Sequence, residues 1–169
     1  MNGVSFSLAV PASGWSSDGS HGIGKGITDE TYKGGLILWN GATDGIFTVP
    51  CDEKRATPVV SSAANLAEAI AKVPGTTATG PSDVTVGGFP AKLVVVKIPD
   101  VAACKANDFF LWWSLKQTGR YATELGSTIK VWIVDVNGTL LQMDGEFLKG
   151  SGPEVEKEMQ QIVDSIQFK

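Results

Sequence analysis

The side chains in this sequence that could do chemistry are one histidine, two cysteines, several neighbouring carboxylates and a concentration of aromatics. His21 is the only imidazole and sits in SDGSHGIGKG. A zinc site needs further His, Cys or carboxylate ligands at short spacings, and no second histidine or paired-cysteine motif completes one. No metal and no cofactor is expected, and a lone histidine in a Gly/Ser stretch reads as exposed and idle. A Ser-His-Asp triad would have to use His21, but no G-x-S-x-G elbow presents a serine. Gly22, Gly24 and Gly26 alternate without the G-x-x-x-x-G-K-[ST] spacing, so they read as a flexible hairpin or loop, not a phosphate cradle. Cys51 and Cys104 have no positional partner that would make either thiol a nucleophile.

Paired acids are the remaining catalytic option, because glycoside hydrolysis uses two carboxylates flanking the scissile bond. The candidates are Asp29 with Glu30, Asp52 with Glu53, and Asp144 with Glu146. Asp144 and Glu146 alternate with Gln142 on one strand face. They are expected to point to water and line a shallow surface. Adjacent exposed acids usually serve solvation, so no catalytic residue is assigned. The aromatics are the better lead: Trp39, Phe109, Phe110, Trp112, Trp113 and Tyr121. Trp112 and Trp113 must face opposite ways if they share a strand. They are either core on both sheet faces or part of a hydrophobic or sugar-stacking groove bordered by Trp39, Trp112 or Trp113, and Tyr121. Asn137-Gly138-Thr139 matches a glycosylation sequon, but turn formation explains it fully.

Composition narrows the field. The 169 residues are expected to form a single domain, 1–169, long enough to bury a core without a metal. The hydrophobic fraction is 43% and the mean hydropathy is +0.07, far from disorder. The formal net charge is −4, with only 14 Lys and Arg, so nucleic acid is not a partner to expect. No apolar run is long enough to span a membrane. The start, MNGVSFSLAV, shows neither a charged n-region nor a cleavage pattern. It reads as a cytosolic start, or as mature residues behind an added methionine. The two cysteines are either buried small hydrophobes or a bridge between neighbouring strand ends. A bridge would close a loop of roughly fifty residues and contribute about 4 kcal/mol on the chain-entropy account.

The elements that must position these residues follow from periodicity. Strands are predicted over 4–10, near 23–27, 36–39 and 45–49, with a mobile Gly/Ser loop over 13–26. A helix capped by Ser61 or Ser62 runs to about 73, with Leu66, Ala69, Ile70 and Val73 at helical spacing. A polar loop at 76–82 precedes strands at 84–86 and 91–98, the latter apolar on both faces and therefore central. A strand at 109–115 is followed by a turn at Thr118-Gly119-Arg120. Asn137-Gly138 then joins strands 129–136 and 139–148, the strongest short hairpin signal in the chain. The first is central and the second half-solvated and peripheral. A last helix from about 153 to 168 carries Val155, Met159, Ile162, Val163 and Ile166 on one stripe, with Ser151 and Glu154 as a capping box. The class is α+β: an antiparallel sheet of about six to seven strands flanked by helices.

Several stretches carry a family resemblance. SFSLAVPASGW at 5–15 resembles the strand, Pro and Gly-Trp start of PsbP-like domains. FTVPC at 47–51, VTVGGFPAK at 84–92, IPD before Cys104, VWIVDVNG at 131–138 and QIVDSI at 161–166 are similar to a group of small secreted or lipid-anchored actinobacterial proteins of unsettled function. None of these is a catalytic motif. The resemblance implies an α/β/α sandwich, an envelope location and a Cys51–Cys104 bridge, with no enzyme activity and no metal. It also implies a binding, sensory or interaction role as a lipoprotein or ectodomain. The chain departs from that group in showing no lipobox, which keeps a cytoplasmic location as the alternative. The expectation is a non-catalytic extracytoplasmic module for a protein or small envelope ligand. The alternatives are a carboxylate-dependent hydrolase acting on envelope material, or a cytosolic adaptor of the same fold whose two thiols lie too far apart to bond.

Overall fold

Asn137-Gly138 sets the centre of the molecule. Both residues adopt positive φ, 51° and 85°, the requirement of a tight hairpin turn. The computed structural model describes residues 3–27, 31–39, 41–53, 56–58 and 62–169, without the side chains of Ala56, Gln117 and Thr118. In chain order the strands before the first helix are β1 Phe6–Ser7, β2 Trp15–Ser17, β3 Gly22–Lys25, β4 Gly34–Leu38, β5 Gly45–Phe47 and β6 Ala56–Pro58. Helix α1, Ala63–Ala71, leads to β7 Thr77–Val86, β8 Phe89–Lys97, β9 Phe110–Ser114, β10 Gln117–Tyr121, β11 Thr128–Val136 and β12 Thr139–Phe147. Helix α2, Pro153–Asp164, and β13 Gln167–Phe168 close the chain.

The main sheet is antiparallel with strand order β2-β3-β4-β12-β11-β8-β7. A second sheet, β10-β9-β5-β6, lies over one of its faces, and β1 pairs with β13. Helix α2 covers the other face through Val155, Met159, Ile162 and Val163, packed in one apolar cluster with Trp132, Val134, Leu141 and Met143. Helix α1 and the second sheet share the opposite cluster, in which Leu66, Ala67 and Ile70 meet Val94, Val96, Ile129, Val131, Leu111 and Trp112. The fold is α+β, an antiparallel sheet flanked by helices, with one flank completed by strands.

Ser62 caps α1 as expected, its hydroxyl accepting the Asn65 N–H at 3.2 Å. The capping box at α2 does not form. The Ser151 hydroxyl donates instead to the carbonyls of Leu148 and Lys33, at 2.6 and 2.5 Å, and Gly152 is the cap residue. Residues 13–26, predicted as a loop, form the β2–β3 hairpin at the edge of the main sheet. Trp15 fixes it: the indole is buried, and its N–H and the Lys25 ammonium both reach Glu158 of α2. Of residues 76–82, predicted as a polar loop, all but Thr76 belong to β7. Thr77 through Asp83 of this edge strand are exposed on both faces, so the segment shows no alternation. A register shift between Thr79 and Ser82 accommodates Gly80-Pro81, a place where an edge tolerates proline. The predicted Thr118-Gly119-Arg120 turn is strand β10, and the chain reverses at Leu115-Lys116. The first strand is short, and Val10 is 41% exposed.

Candidate functional site

The largest departure from expectation is β12. It is the fourth of seven strands, between β4 and β11, and Gln142, Asp144 and Glu146 are buried rather than solvated. Alternation puts Leu141 and Met143 against α2 and sends the three polar side chains to the other face, beneath the second sheet. They can be buried there because every acid finds donors.

Strand β10 supplies the counter-charge. Arg120 is 6% exposed and Asp144 and Glu146 are 0% and 1%, so all three charges are out of water. Arg120 Nε donates to Asp144 Oδ1 at 2.9 Å and Nη2 to Glu146 Oε2 at 2.8 Å, while Nη1 donates to the Tyr121 carbonyl. Trp39 Nε1 donates to Asp144 Oδ2. Glu146 Oε1 accepts from Thr123 N at 2.9 Å and Ser127 Oγ at 2.6 Å, and Oε2 from Thr123 Oγ1 at 2.6 Å. Gln142 Oε1 accepts the Thr43 N–H at 2.9 Å.

The two acids respond differently. Burial would raise Glu146, but Arg120 and the Ser127 and Thr123 donors outweigh it and hold the group below the usual carboxylate range. Burial wins at Asp144, which is pushed up despite Arg120 and Trp39. Burial works against the Arg120 charge too, and the two carboxylates more than offset it. Tyr32 lies near this cluster, its hydroxyl packed close over Gly35, where any Cβ would clash at 2.6 Å. Its phenol is pushed up to about 12, by burial first and then by the Glu146 charge.

A cavity of about 180 Å³ opens in front of the cluster, lined by His21, Ile37, Trp39, Gly119, Arg120, Tyr121 and Thr123. Three elements converge on it. Residue 21 enters β3 with its carbonyl accepting the Leu38 N–H at 2.9 Å; β4 carries Ile37 and leads into Trp39; β10 brings Arg120 and Tyr121. A larger groove of about 400 Å³ lies among turns 41–44, 114–116 and 138–140. Its ionisable groups are already engaged: Asp44 accepts the Leu115 N–H at 2.6 Å, and Lys116 has a partner of its own. The smaller cavity is the stronger candidate site.

The structure brings together two of the four aromatics singled out from sequence. Trp39 and Tyr121 line the cavity, the first 3% and the second 44% exposed. Trp112 does not border it: this ring faces inward from β9, fully buried in the α1-side cluster, and has no face to offer a ligand. Trp113 points the other way, half-buried against Gly45, where its indole leaves no room for a Cβ. His21, read as idle, is a wall of the cavity. Asp29 and Glu30 lie outside the described residues, and Asp52 and Glu53 sit in the β5–β6 connection. Cys51 and Cys104 are bonded, with an S–S distance of 2.02 Å and Cα atoms 5.7 Å apart, so the separated thiols expected of a cytosolic adaptor are not what this chain has. Among the described residues no group of three or more His, Cys, Asp or Glu could hold a metal ion.

Arg120, Thr123 and Ser127 escaped the sequence reading. A signal existed for the first. The chain has only two arginines, Arg55 and Arg120, and a strand bearing two acids among apolar neighbours calls for the residue best suited to bidentate pairing.

No protein-family model and no curated protein matches the chain. Among solved structures it is similar to LpqN of Mycobacterium tuberculosis, described as involved in cell envelope biogenesis. The identity is 16% and the TM-score 0.49, over 99% of this chain and 84% of that one. No helix of the described residues is long and apolar enough to cross a membrane.

Proposed function

We propose that this protein is a non-catalytic binding module of the cell envelope, a secreted protein, lipoprotein or ectodomain, which holds a small ligand or a partner's side chain between His21, Trp39 and Tyr121. The observation that carries this reading is the Arg120–Asp144–Glu146 network directly behind that cavity. Buried charges are costly and collect at functional sites. Here all four carboxylate oxygens accept hydrogen bonds from the protein. A general acid or base has to reach its substrate, and these two are buried. The arrangement suits holding a cavity wall rigid rather than moving protons. The Cys51–Cys104 bond supports an oxidising compartment. The resemblance of the 5–15, 84–92 and 131–138 stretches to PsbP-like domains and to secreted or lipid-anchored actinobacterial proteins supports an accessory role.

Thermal-shift and NMR screening against sugars, lipids and cell-wall fragments tests this. A ligand that stabilises the protein but not its Tyr121→Ala variant is expected. Equal stabilisation of both, or of neither by any compound, sinks the cavity reading. Hydrolysis of an envelope fragment, lost in Glu146→Gln, would instead assign the hydrolase. Alkylation of both cysteines in protein taken from its host without reductant would overturn the envelope location.

A further inference from the structure

The turn at the centre of the fold holds a reactive pair that lies outside the cavity. Asn137 and Gly138 are both exposed at the tip of the β11–β12 hairpin. An asparagine followed by glycine can modify itself, because no side chain on the glycine hinders the approach of its amide nitrogen to the asparagine carboxamide. The nitrogen gives up its proton and attacks the side-chain carbonyl carbon. A C–N bond forms, the carboxamide nitrogen leaves as ammonia, and water opens the cyclic imide to aspartate or isoaspartate. In this turn the attacking nitrogen is already engaged. Gly138 N–H donates to Asp135 Oδ1 at 2.7 Å, and Asp135 is half-buried near the end of β11. A carboxylate that accepts this hydrogen bond keeps the proton on the nitrogen, and its charge opposes the negative nitrogen that attack requires.

We propose that Asn137 is a slow self-modification site and that Asp135 is its guard, holding the Gly138 proton so that the turn outlasts its bare sequence. Nothing in this depends on the cavity. The guard protects the middle of the main sheet. Isoaspartate adds a carbon to the main chain inside a two-residue turn, beside the Val136–Thr139 pair that begins the ladder running to Thr128–Phe147. Either product also sets a second carboxylate close to Asp135. Gly138 and Thr139 are walls of the 400 Å³ groove, so the change reaches that surface as well.

The test is incubation of the full chain at mildly alkaline pH, with peptide-level mass spectrometry following Asn137 and chromatography separating aspartate from isoaspartate. Asp135→Val removes the acceptor and suits a strand. It is expected to convert Asn137 about tenfold faster than the parent, the factor for giving up a hydrogen bond to a charged acceptor near water. Asp135→Thr keeps a weaker, neutral acceptor and should fall between them. Amide exchange in β11 and β12 separates a lost guard from a loosened hairpin. Faster conversion in Asp135→Val, with exchange as slow as in the parent, supports the guard. Equal rates in Asp135→Val and the parent overturn it, as does an Asp135→Thr rate equal to that of Asp135→Val with both hairpins loosened. If the folded parent converts as fast as the chain in urea, the guard is also overturned. If neither folded form converts while the chain in urea does, Asn137 is not a site in the native protein and the proposal fails.

Discussion

Replacing Arg120 by Met keeps much of the side-chain volume and removes the charge. Two buried carboxylates then lose their only counter-ion among the described residues, along with the 2.9 and 2.8 Å contacts to one oxygen of each. Breaking a buried ion pair from one side costs about 3–5 kcal/mol, a large fraction of the roughly 5–15 kcal/mol that holds a domain together. The loss has a pH signature. In the parent, Glu146 lies below its ordinary value, so its contribution is present above that value and lost as pH falls through the depressed one. Without Arg120, burial raises both acids, and a raised acid contributes stability at low pH that is lost as pH rises. The gap between variant and parent must therefore widen from acid to neutral pH. Urea unfolding followed by tryptophan fluorescence, at about pH 4.5 and 7, measures it. A loss under about 1 kcal/mol at neutral pH, or one that does not change with pH, would refute the reasoning.

Three further outcomes follow from single features. Cys51→Ser with Cys104→Ser opens a 53-residue span and is expected to cost about 4 kcal/mol in chemical denaturation. Gly145→Ala places a Cβ 2.0 Å from Met159 Sδ at the α2 interface, an overpacking cost of about 1–3 kcal/mol. That cost should be smaller in a Met159→Leu background. Glu158→Gln weakens the tie from α2 to Lys25 and Trp15, so amide exchange should quicken in β2 and β3 while the midpoint of global unfolding stays nearly unchanged.

The C-terminal half of the fold was legible because its signals are local. Asn137-Gly138, the apolar faces of β11 and the stripe of α2 each specify their own geometry. What was missed depends on layers. In β7 only Val84 and Val86 at the far end reach the core, and residues 77–83 are exposed on both faces, so no alternation is selected there. The β2–β3 hairpin has few apolar residues, and its place is set by Trp15 and Lys25 reaching Glu158, 143 and 133 positions away. The polar face of β12 looked solvated because Gln142, Asp144 and Glu146 alternate as a water-facing row does. Only the second sheet, carrying Arg120, changes what that row means. The cavity inherits the same difficulty, since His21, Trp39 and Tyr121 come from three elements with no shared motif.

Whether the buried network is an ion triad or something larger is decided by replacing it whole. Where an isolated buried salt bridge is exchanged for apolar residues of similar volume, stability is often unchanged or raised by 1–4 kcal/mol. Arg120→Met with Asp144→Leu and Glu146→Leu removes every charge here. It also strips acceptors from Trp39 Nε1, Ser127 Oγ, Thr123 N and Thr123 Oγ1. Each buried donor left unpaired costs about 1–3 kcal/mol. Exposed Thr123 can turn to water, but Trp39 and Ser127 are buried and cannot. The triple variant is therefore expected to recover part of the single-variant loss and remain at least about 2 kcal/mol below the parent. A triple variant as stable as the parent would mean that the neutral donors contribute nothing, and that the network exists for the cavity alone.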